Sequence, residues 1–321
     1  MKQTVLRASL VGVLAILGLV AAGLPAAAAP TECDGTIGTE TVTSGLNVPD
    51  GAVCDLQGTT VIGTTTVGES ADLYAFNASL HGDVTGGADA FVDLLESSVV
   101  GTVDVADGAG VILDRGSVLG AINATDTVFS FVLDGAVNGN FNNQDTDEVL
   151  AYNGQIMGQF SGEGGAITDV IDSGVIGNVN IGFNTGGSFF CGNQVVGLAT
   201  FNANDEGLQI GGDQVFGSCD GNRFLSSVVV TGNTGQVEIS DNTIQGFLDC
   251  DGNDAEPFGE GNTIHGFARG QCEPMSPFSV QASADAEFDA SERYRGFDLI
   301  EERRAAADQL ERNQMTTAVQ H

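Results

Sequence analysis

A glycine that recurs every 19 residues is the feature of this sequence that most constrains its fold. Each of these glycines follows an aliphatic residue by two positions. Steps of 19 residues connect Gly63, Gly82, Gly101, Gly120, Gly139, Gly158 and Gly177, steps of 20 lead on to Gly197 and Gly217, and after a gap of 29 come Gly246 and Gly266. Gly45 fits as an earlier, degenerate member. A fixed period of this length predicts a repeat architecture.

The residues around these glycines predict a short β-strand rather than a helix. The aliphatic positions are Val61, Leu80, Val99, Val118, Val137, Ile156, Val175, Val195, Val215, Ile244 and Ile264. Glycine and β-branched residues disfavour a helix, and the alternation of apolar with polar residues has the period of a strand. Turn formers such as Asp134-Gly135 and Asn153-Gly154 come shortly before the glycine. Strand, turn and return to the same phase describe one coil of a solenoid.

The predicted fold class is all-β: a parallel β-solenoid of about 12 coils of 19–20 residues, with a short C-terminal α-helix. Coils stacked at about 4.8 Å make a rod on the order of 50 Å long. The repeated glycine is expected at a bend where a Cβ atom would collide with the coil wall. We favour a right-handed β-helix, because strand–crossover–parallel strand connections usually take that hand, and left-handed winding is the alternative.

The N-terminus carries the pattern of a signal peptide. Lys2 and Arg7 precede an apolar stretch from Leu10 to Leu24, and a run of small residues follows. We expect cleavage after Ala28 or Ala29, and therefore a secreted protein, extracellular or associated with the cell surface, without a stable membrane span. A retained N-terminal anchor is the alternative.

Four segments are predicted along the chain. They are a signal peptide over 1–29, an N-terminal cap with a disulfide over 30–57, the parallel β-helix over 58–273, and a C-terminal helical cap or tail over 274–321. In the last segment, Phe297, Ile300, Ala307 and Leu310 follow helical spacing, which predicts one amphipathic helix within about 292–312. We expect this helix to fold over the last coil; a flexible stalk or a partner-binding helix is the alternative.

Six cysteines in an exported chain predict three disulfides, although six thiols allow fifteen pairings. Two cysteines lie close together at the mature N-terminus and four lie in the last third of the chain. Proximity in sequence favours the pairs Cys33–Cys54, Cys191–Cys219 and Cys250–Cys272.

The charge of the chain is strongly negative, with 43 acidic residues against ten basic ones. Such a field repels phosphate backbones, so nucleic acid is excluded as a partner. The acidity favours divalent cations and suits a salty or acid-tolerant setting, or it serves solubility alone. A monomer is expected.

Two coils near the C-terminal end carry a family resemblance. The stretches Asn242-Thr243-Ile244-Gln245-Gly246 and Asn262-Thr263-Ile264-His265-Gly266 resemble the Asn-x-Ile-x-Gly rungs of the pectate-lyase-like right-handed β-helix superfamily. The segment from Val48 to Cys54 and the ending from Cys250 to Cys272 are similar to uncharacterised exported β-helix proteins of bacteria. The resemblance spans about residues 33–273 and implies a fold rather than an activity. The Val-x-Gly coils also resemble bactofilins, which polymerise end to end, but the signal peptide and cysteines depart from that family.

The sequence offers little chemistry for an enzyme. On the resembling scaffold, polysaccharide lyases pair acidic calcium ligands with a basic residue, whereas Arg115, Arg223 and Arg269 fall on widely separated coils. His81 and His265 are about ten coils apart, and His321 is terminal. No zinc-ligand spacing, nucleophile elbow or phosphate-binding loop occurs. No catalytic residue is assigned, and surface salt bridges are the expected role of the arginines.

Calcium is the one cofactor that we consider, without a firm site. Asp249, Asp251 and Asn253 offer oxygen ligands at alternate positions, and Glu260 lies where an EF-type loop has its last ligand. The position that such a loop reserves for glycine is Asp254. Two further acidic turns carry Asp145, Asp147 and Glu148, and Asp205 and Glu206. Ordinary solvated turns are the alternative for all three.

A polar strip is the candidate binding surface. One and three residues after the repeated glycines, on the outward parity, stand small polar residues, among them Thr64, Thr66, Asn140, Asn142, Asn178 and Asn180. Stacked, they form a flat surface that could match a repetitive polymer such as a glycan. The alternative is that outward strand positions are small and polar only because they must stack. The strip lacks aromatic residues, which count in sugar binding.

Three functional hypotheses follow. The first is a non-catalytic extracellular solenoid that serves as a structural or surface-interaction module and binds a glycan or another cell-surface component. The second is a polysaccharide lyase or hydrolase on the same scaffold. The third is a protein that forms filaments through the solenoid ends.

Overall fold

The fold is described from a computed structural model that covers residues 28–275 and 294–319, with side chains to Ala307 in the last helix. The predicted signal peptide lies almost wholly outside the described residues, as does His321. No helix within the described ranges is long and apolar enough to cross a membrane.

The chain is an all-β parallel solenoid, as the sequence predicted, with about 13 turns where about 12 were expected. Each regular turn contributes one strand to each of three sheets. Sheet A has 13 strands: β1 (Thr31–Glu32), β4 (Leu46–Val48), β7 (Thr65–Val67), β10 (Val84–Gly86), β13 (Val103–Ala106), β16 (Ile122–Thr125), β19 (Phe141–Gln144), β22 (Phe160–Glu163), β25 (Val179–Gly182), β28 (Ala199–Asn202), β31 (Val228–Thr231), β34 (Leu248–Asp251) and β36 (Ala268–Gly270).

Sheet B has 11 strands: β2 (Gly35–Ile37), β5 (Val53–Gln57), β8 (Asp72–Phe76), β11 (Phe91–Leu95), β14 (Gly110–Asp114), β17 (Phe129–Leu133), β20 (Glu148–Tyr152), β23 (Ile167–Ile171), β26 (Ser188–Cys191), β29 (Leu208–Ile210) and β32 (Val237–Ile239). Sheet C has 12 strands: β3 (Thr41–Val42), β6 (Thr60–Val61), β9 (Ser79–Leu80), β12 (Ser98–Val99), β15 (Ser117–Val118), β18 (Ala136–Val137), β21 (Gln155–Ile156), β24 (Gly174–Val175), β27 (Gln194–Val195), β30 (Arg223–Phe224), β33 (Thr243–Ile244) and β35 (Thr263–Ile264). The segment predicted as an N-terminal cap, residues 30–57, contains β1 to β5, and these strands pair with later strands of the same three sheets.

The core is a column of aliphatic side chains with interleaved phenylalanines. The predicted aliphatic positions from Val61 to Val195 are all fully buried, and successive members pair in parallel register, as in Val118 with Val137. Phe141 and Phe160, on adjacent coils, pack edge to face with ring centroids 5.5 Å apart. A short strand buries little alone, so the stability of each coil depends on its two neighbours. Right-handed winding stays a prediction.

The corner between sheets C and A is formed by the repeated glycines. A Cβ atom on Gly139 would lie 2.5 Å from the carbonyl oxygen of Gly120 on the preceding coil, and one on Gly177 would lie 2.3 Å from that of Gly158. The backbones of successive coils therefore approach so closely at this corner that no side chain fits. The steric role predicted for these glycines is confirmed.

The other two corners use residues in the left-handed backbone region. Between sheets A and B these include Asp89, Asp107, Asp126 and Asp145, and between sheets B and C they include Asn77, Asp134, Asn153 and Asp172. Asn and Asp tolerate this conformation better than most residues. In the later coils, buried asparagines follow each corner residue and stack in two ladders: Asn184, Asn204, Asn233 and Asn253, and Asn193, Asn222, Asn242 and Asn262.

One coil is longer than the others, and the prediction that Gly217 is its repeated glycine was wrong. Strand β30 pairs with β27, so Phe224 rather than Val215 continues the column that contains Val195. Val215 and Gly217 lie in a loop inserted between β29 and β30. Buried Glu238 holds this loop by accepting backbone hydrogen bonds from Asp213, Gln214 and Val215 at 2.8–3.1 Å.

All three predicted disulfides are formed: Cys33–Cys54, Cys191–Cys219 and Cys250–Cys272. The first joins the first two coils, the second ties the inserted loop to β26, and the third closes the last coils. The described part of the chain has no free cysteine.

The C-terminal helix α1 (Arg295–Val319) was predicted to fold over the last coil, and this placement was wrong. The described side chains of the helix pack instead on the outer face of sheet B. That face carries Phe91, Phe129, Phe131 and Leu150 among others, and Tyr294, Phe297 and Ile300 pack against them. The outward face of sheet B therefore carries a buried apolar cluster of its own beneath the helix, together with acidic residues such as Asp72, Asp93 and Glu148.

Ion pairs fix the position of α1. Arg303 contacts Asp72 at 2.6 Å, Arg304 contacts Asp93 at 2.6 Å, and Glu148 accepts hydrogen bonds from the first backbone N–H groups of the helix. Arg295 contacts the same Glu148. From Arg295 to Arg304 the helix rises about 14 Å, and the three coil steps between β20 and β11 cover about the same length, so the two elements are in register.

Candidate binding surface

The predicted polar strip exists as one continuous surface along sheet A and its corner with sheet C. In the column three residues after each glycine, parallel pairing stacks Thr66, Thr85, Asp104, Asn123, Asn142, Ser161, Asn180 and Thr200 in that order. The column one residue after the glycine contains Thr64, Asn140 and Asn178, all exposed. The six residues selected from the sequence therefore lie on one face, at spacings of about 4.8 Å per coil.

Hydrogen bonds between coils hold the amide groups of the strip in place. Asn142 Nδ2 donates to Asn123 Oδ1 at 2.8 Å, and Asn123 Nδ2 donates to Asp104 Oδ1 at 2.6 Å. Asn180 Nδ2 donates to Glu163 Oε1 at 2.8 Å, at the border of the strip. These side chains are ordered before any ligand arrives, which lowers the entropic cost of binding.

The asparagines in the column next to the glycines use their side-chain oxygens to stabilise the corner and leave their side-chain nitrogens exposed. Asn140 Oδ1 accepts the backbone N–H of Gln159 at 2.9 Å, and Asn178 Oδ1 accepts that of Leu198 at 3.0 Å. The side chains thus satisfy N–H groups at the tight corner. Among the residues that the structure describes, the Nδ2 groups of Asn140 and Asn178 have no partner, so they remain available as donors to a ligand.

Beside the strip lies an apolar ridge that was not identified in the sequence. It consists of the residue before each repeated glycine, and its large members are 36–52% exposed: Ile62, Val100, Leu119, Met157, Ile176 and Val196. His81 and Asn138 interrupt it. The ridge could have been predicted from the sequence, because its residues have outward parity and directly precede the repeated glycines. Exposed apolar side chains that recur on successive coils mark a surface for contacts.

The ridge and the strip together are almost free of charge. In the coils between strands β6 and β28, the ridge and the two strip columns contain three ionisable residues: His81, Asp83 and Asp104. The acidic residues lie mainly at the other two corners, as in Asp126 and Asp145. On a chain of net charge −33, this surface can therefore accept an uncharged ligand without desolvating carboxylates.

The proposed calcium ligands serve other contacts. Asp249 forms an ion pair with Arg269 at 2.6 Å, and Asn253 is buried in an asparagine ladder, where its Oδ1 accepts hydrogen bonds from Asn233. No group of three or more His, Cys, Asp or Glu within residues 28–275 and 294–307 could hold a metal ion. Calcium binding at Asp249, Asp251, Asn253 and Glu260 stays a prediction.

The remaining candidates are also dispersed. Arg115 contacts Glu96 at 3.3 Å, His81 Nε2 lies 3.0 Å from the hydroxyl of Ser79, and Thr234 donates to Asp205 at 3.3 Å. Glu148, predicted in an acidic turn with Asp145 and Asp147, is the first residue of β20 and accepts hydrogen bonds from the start of α1.

Several ionisable groups lie together beneath α1, where they hold the helix against sheet B. Burial raises the pKa of Asp72, and the neighbouring Arg303 opposes this effect in part. Burial, with the carboxylate of Asp72, also raises the pKa of Tyr74. A cavity of about 490 Å³ opens where the first strands of sheet B meet the helix. Its wall includes Asp93, which Arg304 neutralises.

Comparisons with models of protein families, with curated proteins and with solved structures give no match. The function is therefore inferred from the surface described above.

Proposed function

We propose that this protein is a non-catalytic, exported β-solenoid that binds an extended, uncharged glycan along the polar strip and the apolar ridge. The observation that carries the proposal is the side-by-side arrangement of fixed amides and exposed aliphatic side chains, repeated coil after coil and free of charge over most of its length. A sugar chain has the matching chemistry, because its rings present C–H groups and its edges present hydroxyls.

The geometry favours a polymer over a small molecule. A linear array of equivalent sites lets several units of one chain bind at once, and each weak contact raises the effective concentration for the next. The arginines that would read a uronate polymer are absent from the strip between β7 and β28, which supports an uncharged one.

The proposal is tested with a glycan array and by titration of the mature chain with the oligosaccharides that it selects. Met157→Asp places a charge on the ridge and should weaken binding at least tenfold, because the carboxylate must be desolvated against the ligand. Tyr152→Asp is the matched control: Tyr152 lies on the same coil, is 40% exposed against 52% for Met157, and faces away from the strip. Its affinity should change less than twofold.

Other outcomes would contradict the proposal. If the mature chain binds no glycan, the surface has another role. Cleavage of a polysaccharide would support the lyase or hydrolase hypothesis, and rods that grow end to end in electron micrographs would support the filament hypothesis.

A further inference from the structure

The polar strip ends, in the last two coils, in a pair of phenylalanines. Phe247 and Phe267 follow Gly246 and Gly266, so they occupy the column that contains Asn140 and Asn178 in earlier coils. Their rings are stacked, with centroids 5.9 Å apart and an interplanar angle of 20°. Phe267 is 57% exposed, the highest value among the exposed large hydrophobic residues.

An arginine–aspartate pair flanks the rings in the neighbouring column. Asp249 and Arg269 pair in parallel register at the positions that Asn142 and Asn180 hold in earlier coils. The guanidinium carbon of Arg269 lies 4.5 Å from the ring centroid of Phe247 and 5.8 Å from that of Phe267. The ion pair to Asp249 and the contact with both rings limit the motion of the arginine, so donors, acceptors and an aromatic face are fixed together.

We infer that Phe267, Arg269 and Asp249 form an aromatic subsite that stacks one hexopyranose ring of an uncharged glycan whose chain continues along the polar strip. This inference rests on the proposed function and adds its anchoring point. The face of a phenyl ring carries partial negative charge and attracts the polarised C–H groups of a sugar. Arg269 donates to ring hydroxyls and Asp249 accepts from them, as charge-assisted hydrogen bonds.

An exposed phenylalanine alone would not carry this inference, because single exposed apolar residues are common on protein surfaces. Two further observations point to a ligand. The rings continue the columns of the strip, and the charges beside them are mutually neutralised at 2.6 Å, which suits an uncharged ligand. An anionic sugar gains little here, because Asp249 already neutralises the charge of Arg269 and the whole chain is acidic.

The test uses the mature full-length chain with phenylalanine rings labelled for NMR. It is titrated with a panel of uncharged hexasaccharides of hexopyranose units (cellohexaose, mannohexaose and laminarihexaose) and with hexagalacturonate. We expect one or more of the uncharged oligosaccharides to shift the Phe267 ring signals, which the Phe267→Ala variant assigns. Hexagalacturonate should bind at least tenfold more weakly.

Matched variants separate the subsite from general effects. Phe267→Ala should weaken binding at least tenfold, and Phe267→Tyr should keep it within threefold, because the ring is retained. Phe183→Ala is the control, since Phe183 is 56% exposed but lies at the corner between sheets A and B. It should leave affinity unchanged, and melting temperatures will show that all three variants fold.

The two proposals fail in different ways. If the wild-type chain binds an uncharged hexasaccharide and Phe267→Ala binds it equally well, the aromatic subsite is refuted while the strip remains the site. If the wild-type chain binds no member of the panel, both proposals are refuted. Tighter binding of hexagalacturonate would refute the selection for uncharged sugars.

Discussion

At the scale of single residues, the repeated glycine is the position that tolerates least change. In Gly139→Ala the new methyl group would lie 2.5 Å from the carbonyl oxygen of Gly120, so the two coils must separate and lose contacts. We expect a loss of about 2 kcal/mol or more in the free energy of unfolding. Gly38→Ala is the matched control, because nothing lies within 4 Å of its Cβ position. Chemical denaturation of both variants checks the prediction, and an equal stability for the two would contradict it.

Residue types with a strict steric role could be predicted from the sequence, and those that depend on context could not. The glycines and the aliphatic residues two positions before them follow from one period, and the cysteine pairs follow from proximity in sequence. Gly217 has the same local pattern, yet it lies in an inserted loop because Phe224 pairs with Val195. The apolar-x-glycine pattern is short enough to arise by chance, and only the parallel pairing decides which copy belongs to the column. Phe247 and Phe267 each follow a repeated glycine by one position, so the sequence already placed them in one column; only their contacts with Arg269 required the structure.

At the scale of elements, sheet B and the helix α1 account for what sequence reasoning missed. Strands such as β17 (Phe129–Leu133) are apolar on both faces, and a period of two cannot be read from a strand whose two faces are both buried. The helix itself could be predicted from its spacing. Its place could not, because the acids that receive its arginines are separated from them by more than 140 residues, as for Glu148 and Arg295.

The ion pairs between α1 and sheet B predict which substitutions weaken the attachment of the helix. Asp93 is almost fully buried, so Arg304→Met leaves its carboxylate without a cation beneath the helix. We expect α1 to be destabilised by about 2 kcal/mol, and the double variant with Asp93→Asn to recover part of that loss. Glu301→Gln, at an exposed position of the same helix, is the control. Hydrogen exchange of the amides of Phe297 and Ile300 measures the opening; unchanged exchange in Arg304→Met would show that packing alone holds the helix.

At the scale of the whole molecule, the excess of carboxylates over cations sets the response to pH and salt. Burial raises the pKa of Asp72, Asp114, Asp172 and Asp241 above the ordinary carboxyl value of 3.8. A carboxyl with a higher pKa in the folded state takes up its proton there first. Its contribution to the free energy of unfolding therefore increases as the pH falls through the folded-state pKa toward 3.8, and is lost as the pH rises.

Repulsion among 43 acidic residues acts in the same direction, since protonation and salt both weaken it. We therefore expect the melting temperature to rise between about pH 7.5 and about pH 5 at low ionic strength, and the rise to become smaller in about 1 M NaCl. Circular dichroism melts at both salt concentrations measure it. Asp72→Asn removes one of the raised carboxyls and should flatten the dependence, whereas Asp254→Asn, at an exposed turn, should flatten it less. A melting temperature that falls steadily over this pH range would show that the ion pairs beneath α1, which acid weakens, outweigh both effects.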